Sequence, residues 1–190
     1  MSGFRSGMAT AIVWALCWPM SVSAQSAIAP PADPNLNEQH EEWKTQADAA
    51  YRSGNHTEAI RLLEQVLAEN PKDDVALYLR GSARVEQGAA TRNPDLIRSG
   101  INDARTALGI EGNLDYYLPY LYGMSRLAEV EGRPEHASSG IAGADKVLGM
   151  ARATEDQKAT IYFHRSLLDL PAGDQNAAIG DLRAAVRLQP

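Results

Sequence analysis

The sequence predicts an all-α fold, a solenoid of stacked helix pairs, and three observations carry that expectation. A four-position spacing recurs along the chain: Ala47, Gly54, Ala59 and Pro71 stand seven, five and twelve residues apart in succession. Ser125, Gly132, Ala137 and Gly149 repeat the same steps, as do Ser166, Gly173, Ala178 and Pro190, while Gly81, Gly88, Gly100 and Gly112 follow them with seven extra residues after Gly88. Recurrence of this kind, at about 34 residues, is the signature of a helix-pair array. Apolar residues also run with a helical period from near Glu38 to the end, and no segment alternates with a period of two for long enough to make a strand.

Taken in order, residues 1–24 read as a secretory signal peptide. Arg5 precedes an apolar stretch from Met8 to Met20, and Val22 and Ala24 occupy the small-residue positions of a cleavage site before Gln25. The alternative is an uncleaved anchor, although the stretch is shorter than the ~20 residues that span a bilayer. Cleavage after Ala24 removes Cys17, the sole cysteine, so no internal disulfide is expected in the mature chain. Residues 25–37 contain Pro30, Pro31 and Pro34 among small polar residues and read as a flexible linker. A helical domain is expected over residues 38–190, with repeats at about 40–73, 74–114 with the insertion, 118–151 and 159–190.

Within each repeat the small residues have a packing role. Ala47, Gly81, Ser125 and Ser166 fall where the first helix crosses the second, and Ala59, Gly100, Ala137 and Ala178 fall at the same crossing on the second helix. Gly54, Gly88, Gly132 and Gly173 are expected to end the first helices in left-handed conformation. Trp43, Leu77, Leu121 and Tyr162 form one set of equivalent large positions, and Leu63, Ala104, Ile141 and Leu182 another, both expected in the interior. Asn55 and the run Asn93-Pro94-Asp95 are helix-start signals. The extra residues Ala89–Arg92 are expected to form a longer loop ahead of a lengthened second helix.

These residues resemble the tetratricopeptide repeat family, whose signature positions Trp43, Ala47, Gly54, Ala59, Leu63 and Pro71 match best in the first unit. The resemblance covers about 150 residues and implies a right-handed superhelical solenoid of about four repeats. The chain departs from the family at two places. Gln46, Arg80 and Arg165 replace the usual Leu ahead of the first small residue, with Met124 conforming, and Ala50, Arg84, Ala128 and Asp169 replace the usual Tyr after it.

Chemistry other than binding finds little support. The four histidines, His40, His56, His136 and His164, form no paired metal-ligand motif and read as solvent-facing or cap-adjacent. No phosphate loop, nucleophile elbow or thiol nucleophile is present in residues 25–190, so neither a catalytic residue, a metal nor a cofactor is expected. The net charge of −6, without a basic cluster, argues against nucleic acid.

The resemblance implies instead that the first helices line a concave groove. The residue three before each crossing position projects into it: Lys44, Tyr78, Tyr122 and Phe163, with Asp48, Ser82, Arg126 and Leu167 beside them. Aromatic anchors suit peptide binding because they contribute area at little rotamer cost. The alternative is that the rings pack between helices. The carboxylate clamp by which related repeats grip heat-shock chaperone tails is not expected, since Asp48, Leu79, Pro119 and Gly123 follow Lys44 at its positions.

The expected function is therefore a non-enzymatic, exported scaffold, periplasmic and without a stable membrane span after cleavage, that binds a protein or peptide segment in its groove. The alternative is an N-terminal docking or regulatory module of a larger protein or envelope complex. The sequence stops at Pro190 without the polar capping helix that solenoid ends use, which is the feature that discriminates the two.

Overall fold

The computed structural model describes residues 34–189. The signal peptide, its cleavage site, Cys17, residues 25–33 of the linker and Pro190 lie outside the described residues. Among those described, the chain forms eight α-helices, one short 3-10 turn and no strand. The helices are α1 (Pro34–Arg52), α2 (His56–Glu69), α3 (Asp74–Thr91), α4 (Pro94–Glu111), α5 (Tyr117–Glu131), α6 (Pro134–Leu148), α7 (Glu155–Ala172) and α8 (Gln175–Leu188).

Consecutive helices pair as α1/α2, α3/α4, α5/α6 and α7/α8, and the second helix of each pair packs on the first helix of the next. The first helices α1, α3, α5 and α7 also pack against one another in succession. That makes them a continuous layer, the wall on which groove residues from different repeats are brought together.

Helix boundaries follow local chemistry. Helix α1 starts at Pro34, ahead of the expected Glu38, because Pro is tolerated in a first turn where no N–H is needed. Asn55, Asp73, Asn93, Thr154 and Asp174 each accept a hydrogen bond from a backbone N–H of the turn they cap. Gly54, Gly132 and Gly173 take positive φ as expected, but Gly88 does not. Gly88 lies inside α3, and Arg92, at φ 51°, supplies the left-handed residue instead.

The insertion is thus mostly helix, which corrects the expected loop. Ala89–Thr91 extend α3, only Arg92 and Asn93 connect it to α4, and α4 runs to 18 residues against 14 in α2. Gly88 is needed for space: a Cβ there meets Ile97 Cγ1 at 2.7 Å.

The crossing residues sit as expected. Ala47, Ala59, Ser125 and Ala137 are fully buried, and Ser166 and Ala178 nearly so. Helices α3 and α4 approach closely, so that a Cβ on Gly100 would meet the Gly81 carbonyl oxygen at 2.6 Å. Ser125 adds a link between repeats by donating to the Leu167 carbonyl at 2.8 Å.

Two apolar clusters form the core. One gathers Leu62, Leu63, Val66, Leu67 and Leu77 under the first two pairs, and the other gathers Ile97, Leu121, Leu127, Val147, Ile161 and Leu168 under the later ones. Leu77, Leu121, Leu63 and Ala104 are buried as expected. Trp43, Tyr162 and Ile141 are only half-buried, and Leu182 is 42% exposed, on a face of α8 that no other described helix covers.

The arginines among the departures from the family pattern become intelligible as ion pairs inside a helix pair. Arg80 grips Asp103 through two bonds of 2.8 Å, and Arg84 donates to the same carboxylate at 2.8 Å. Arg165 grips Asp181 through two bonds of 2.6 Å, with Asp169 buried beside it. Asp103 and Asp181 occupy equivalent places three residues after Gly100 and Ala178. Where the first helix instead has Gln46 or Met124, the second has Leu62 or Gly140. An arginine on one helix is therefore matched by an aspartate on its partner, as burial of charge requires.

Candidate functional site

The groove rings arise from a simple register. On α3, Tyr78, Ser82 and Glu86 stand four residues apart and share one face; on α5, Leu118, Tyr122 and Arg126 do the same; on α7, Phe163 and Leu167 continue the row. Because the three helices are neighbours, their rows meet. Tyr78, Ser82, Tyr122, Phe163 and Leu167 line one cavity of about 360 Å³, joined by Tyr51 from α1 and by Glu86 and His164. A volume of this size suits a side chain or a short stretch of chain.

Each ring has a distinct setting. Tyr78 stacks on Tyr116 with centroids 4.9 Å apart, and Tyr116 in turn donates to Asp74 at 2.5 Å. Tyr122 donates its hydroxyl to Glu86 Oε2 at 3.2 Å and carries the Arg126 guanidinium over its ring at 5.0 Å. Phe163 is the most open, 46% exposed, and meets His164 edge to face at 5.4 Å.

The titratable groups are shifted mainly by burial. It pushes the Tyr51 phenol up to about 12, helped by the nearby Glu86 charge. Burial also raises Tyr78 and Tyr122. It lowers His164 to about 4, so the imidazole is neutral at pH 7, and its Nδ1 is buried without a hydrogen-bond partner. The cavity therefore presents neutral rings and one carboxylate.

Three expected groove residues stand apart. Lys44 does not reach the cavity; its ammonium bonds Glu41 at 2.7 Å and Asp73 at 3.1 Å, tying α1 to the start of α3. Arg126 lies beside the cavity and pairs with Glu129 at 2.7 Å. Asp48 pairs with Arg52 at 2.9 Å.

Of the histidines expected to be solvent-facing or cap-adjacent, His56 and His136 lie in the first turns of α2 and α6, whereas His40 and His164 depart from that expectation. His40 is 7% exposed and stacks on Trp43, and His164 forms part of the cavity wall. Continuing the groove register one further turn leads to Glu86 from Ser82 and to Tyr51 from Asp48. Nothing in the sequence marks His164, which borders Phe163 and meets Tyr122 of the neighbouring helix α5 edge to face.

No three His, Cys, Asp or Glu side chains among the described residues are grouped to hold a metal ion, and no described helix is long and apolar enough to cross a membrane.

Stacked helix pairs with a groove on the first-helix layer define the class: an all-α helical-repeat interaction scaffold. The tetratricopeptide repeat family matches residues 40–83, which cover most of α1, all of α2 and the first half of α3, so that the chain carries a tetratricopeptide repeat there. Such repeats generally mediate protein–protein interaction. No curated protein matches the chain.

Proposed function

We propose that the chain is an exported, periplasmic scaffold that binds a peptide or protein segment in the groove of its first helices, without catalysing a reaction. The observation that carries the reading is the meeting of Tyr78, Tyr122 and Phe163, from three different repeats, in one open cavity. A packed stack holds these rings in fixed register, so a ligand meets a surface that loses little entropy on binding. Export rests on the signal-like residues 1–24.

The test is capture of partners from the native envelope by the wild-type chain and by Phe163→Ala. Binding at an interface anchor weakens by about 1–3 kcal/mol on truncation. An undiminished capture by Phe163→Ala and Tyr122→Ala removes the groove from the reading. N-terminal sequencing of the purified protein is expected to begin at Gln25, and a sequence beginning at Met1 replaces the released form by the uncleaved anchor.

A second reading, a docking module for a larger assembly, is favoured by one observation. Helix α8 leaves Ile179, Leu182 and Val186 exposed at 48%, 42% and 67%. Val186→Lys, at a site too open to affect folding, discriminates the readings: it breaks an assembly formed through α8 and leaves groove binding intact.

A further inference from the structure

The carboxylate in the cavity has no counterion. Glu86 accepts one hydrogen bond, from the Tyr122 hydroxyl, and no cation pairs with it among the described residues. The arginines of these helices pair with other carboxylates: Arg84 with Asp103 and Glu64, Arg52 with Asp48, and Arg126 with Glu129 through one terminal nitrogen, its Nε being buried without a partner. Rings of Tyr51, Tyr78, Tyr122 and Phe163 line the same cavity as this charge, and Tyr51 and Tyr122 lie close enough to feel it. Their π faces attract cations, most strongly where water is thinned out. The outer part of the same surface already shows the preference, since the Arg126 guanidinium rests over the Tyr122 ring at 5.0 Å. His164 adds an unpartnered buried nitrogen and, being neutral at pH 7, no opposing charge.

A partner carboxylate fits none of this, for Glu86 repels it and Lys44 is held by Asp73. A purely apolar side chain buries Glu86 unpaired, which is costly. The site calls for a group with a long apolar stem and a cationic end. Among peptide side chains that description belongs to lysine and arginine. A cavity of about 360 Å³ that opens along a groove accepts such a stem from an extended chain.

We infer that this cavity takes the side chain of a lysine or arginine from an extended peptide segment, with its cation against the Tyr78 and Tyr122 rings and paired with Glu86. The inference rests on the groove being the binding surface and adds the chemistry of its occupant. The proteins recognised are then basic at the bound segment, in keeping with the net charge of −6 on this chain.

The test is an NMR titration of the full chain, with tyrosine and phenylalanine rings labelled. The probes are two capped alanine pentapeptides carrying lysine or norleucine at the centre, and choline chloride. The lysine peptide, at millimolar concentration, is expected to shift the Tyr78, Tyr122 and Phe163 ring signals and to bind at least tenfold more tightly than its norleucine twin. Glu86→Gln, a near-isosteric change checked by its unchanged melting temperature, is expected to abolish that preference and to leave norleucine binding as it was. Equal binding of the two peptides at shifted rings overturns the cation and leaves the groove reading standing. Choline binding tenfold more tightly than the lysine peptide makes the occupant a free ammonium compound and overturns the peptide assignment. If neither peptide moves the ring signals, the inference falls, and the groove reading then depends on partner capture alone.

Discussion

Phe163 leaves nearly half of its surface open, whereas Tyr78 commits one ring face to Tyr116, so the two groove rings should answer truncation differently. Phe163→Ala is expected to lower stability by less than about 1 kcal/mol, as at other open sites. Tyr78→Ala removes a stacked and largely enclosed ring and is expected to cost about 2–3 kcal/mol of folding stability. Thermal melts of the two variants check this, and equal losses would place Phe163 in the core. The expectation that the rings are either groove anchors or inter-helix packing thus divides by residue. The positions were legible in the sequence from the spacing to the crossing residue; the stacking partner Tyr116 was not, because it comes from the turn before α5, outside the repeat register.

Between elements, the matched arginine and aspartate explain why the usual Leu is absent from the second and fourth pairs. Asp103 is 5% exposed and satisfies both Arg80 and Arg84. Asp103→Ala therefore strands the Arg80 guanidinium and leaves Arg84 with Glu64 and Ser99 alone, and is expected to cost about 3–5 kcal/mol. Arg80→Met with Asp103→Leu, closer to the pattern of the first and third pairs, should recover much of that loss in a denaturant titration, and a double variant as weak as the single one refutes the pairing. The insertion makes a second element-scale case. Because Ala89–Thr91 are helical, deleting Ala89 and Ala90 rotates the end of α3 by about 200° and pulls Asn93 from its place capping α4. We expect a loss of about 1–2 kcal/mol from the cap alone, seen as a lowered melting temperature; an unchanged melt would restore the loop. Asn93-Pro94-Asp95 announced where α4 starts, but nothing local announced where α3 stops, since Arg92 is not a residue that sequence reasoning assigns to φ 51°.

For the molecule as a whole, two buried groups on α7 give opposite pH responses. Burial lowers His164 from 6.5 to about 4, so the unfolded chain binds more protons and stability falls as pH drops through that window. Burial and the Asp181 charge raise Asp169 from 3.8 to about 6, so the folded chain binds more protons and stability rises as pH drops from about 6 to about 4. The two shifts are of similar size and opposite sign in their effect, so in the wild type they largely cancel. Melting temperatures across pH 4–7 are expected to expose them separately. Asp169→Asn should leave a chain that weakens on acidification, and His164→Gln one that strengthens. Two variants with the wild-type profile would show that neither group is perturbed.

The sequence alone determined the helix pairs, their crossing residues and the face that carries Tyr78, Tyr122 and Phe163. All three depend on spacing, and in a helix spacing fixes direction. It did not determine what those residues touch. The cavity needs α3, α5 and α7 side by side, so the meeting of Glu86, His164 and three rings is a property of stacking between repeats more than thirty residues apart. The same holds for the separation of Lys44 from the aromatic set. Its position on α1 follows from the register, but its ammonium is captured by Asp73, a capping residue of the next helix, and only the packed structure brings those two charges within 3.1 Å.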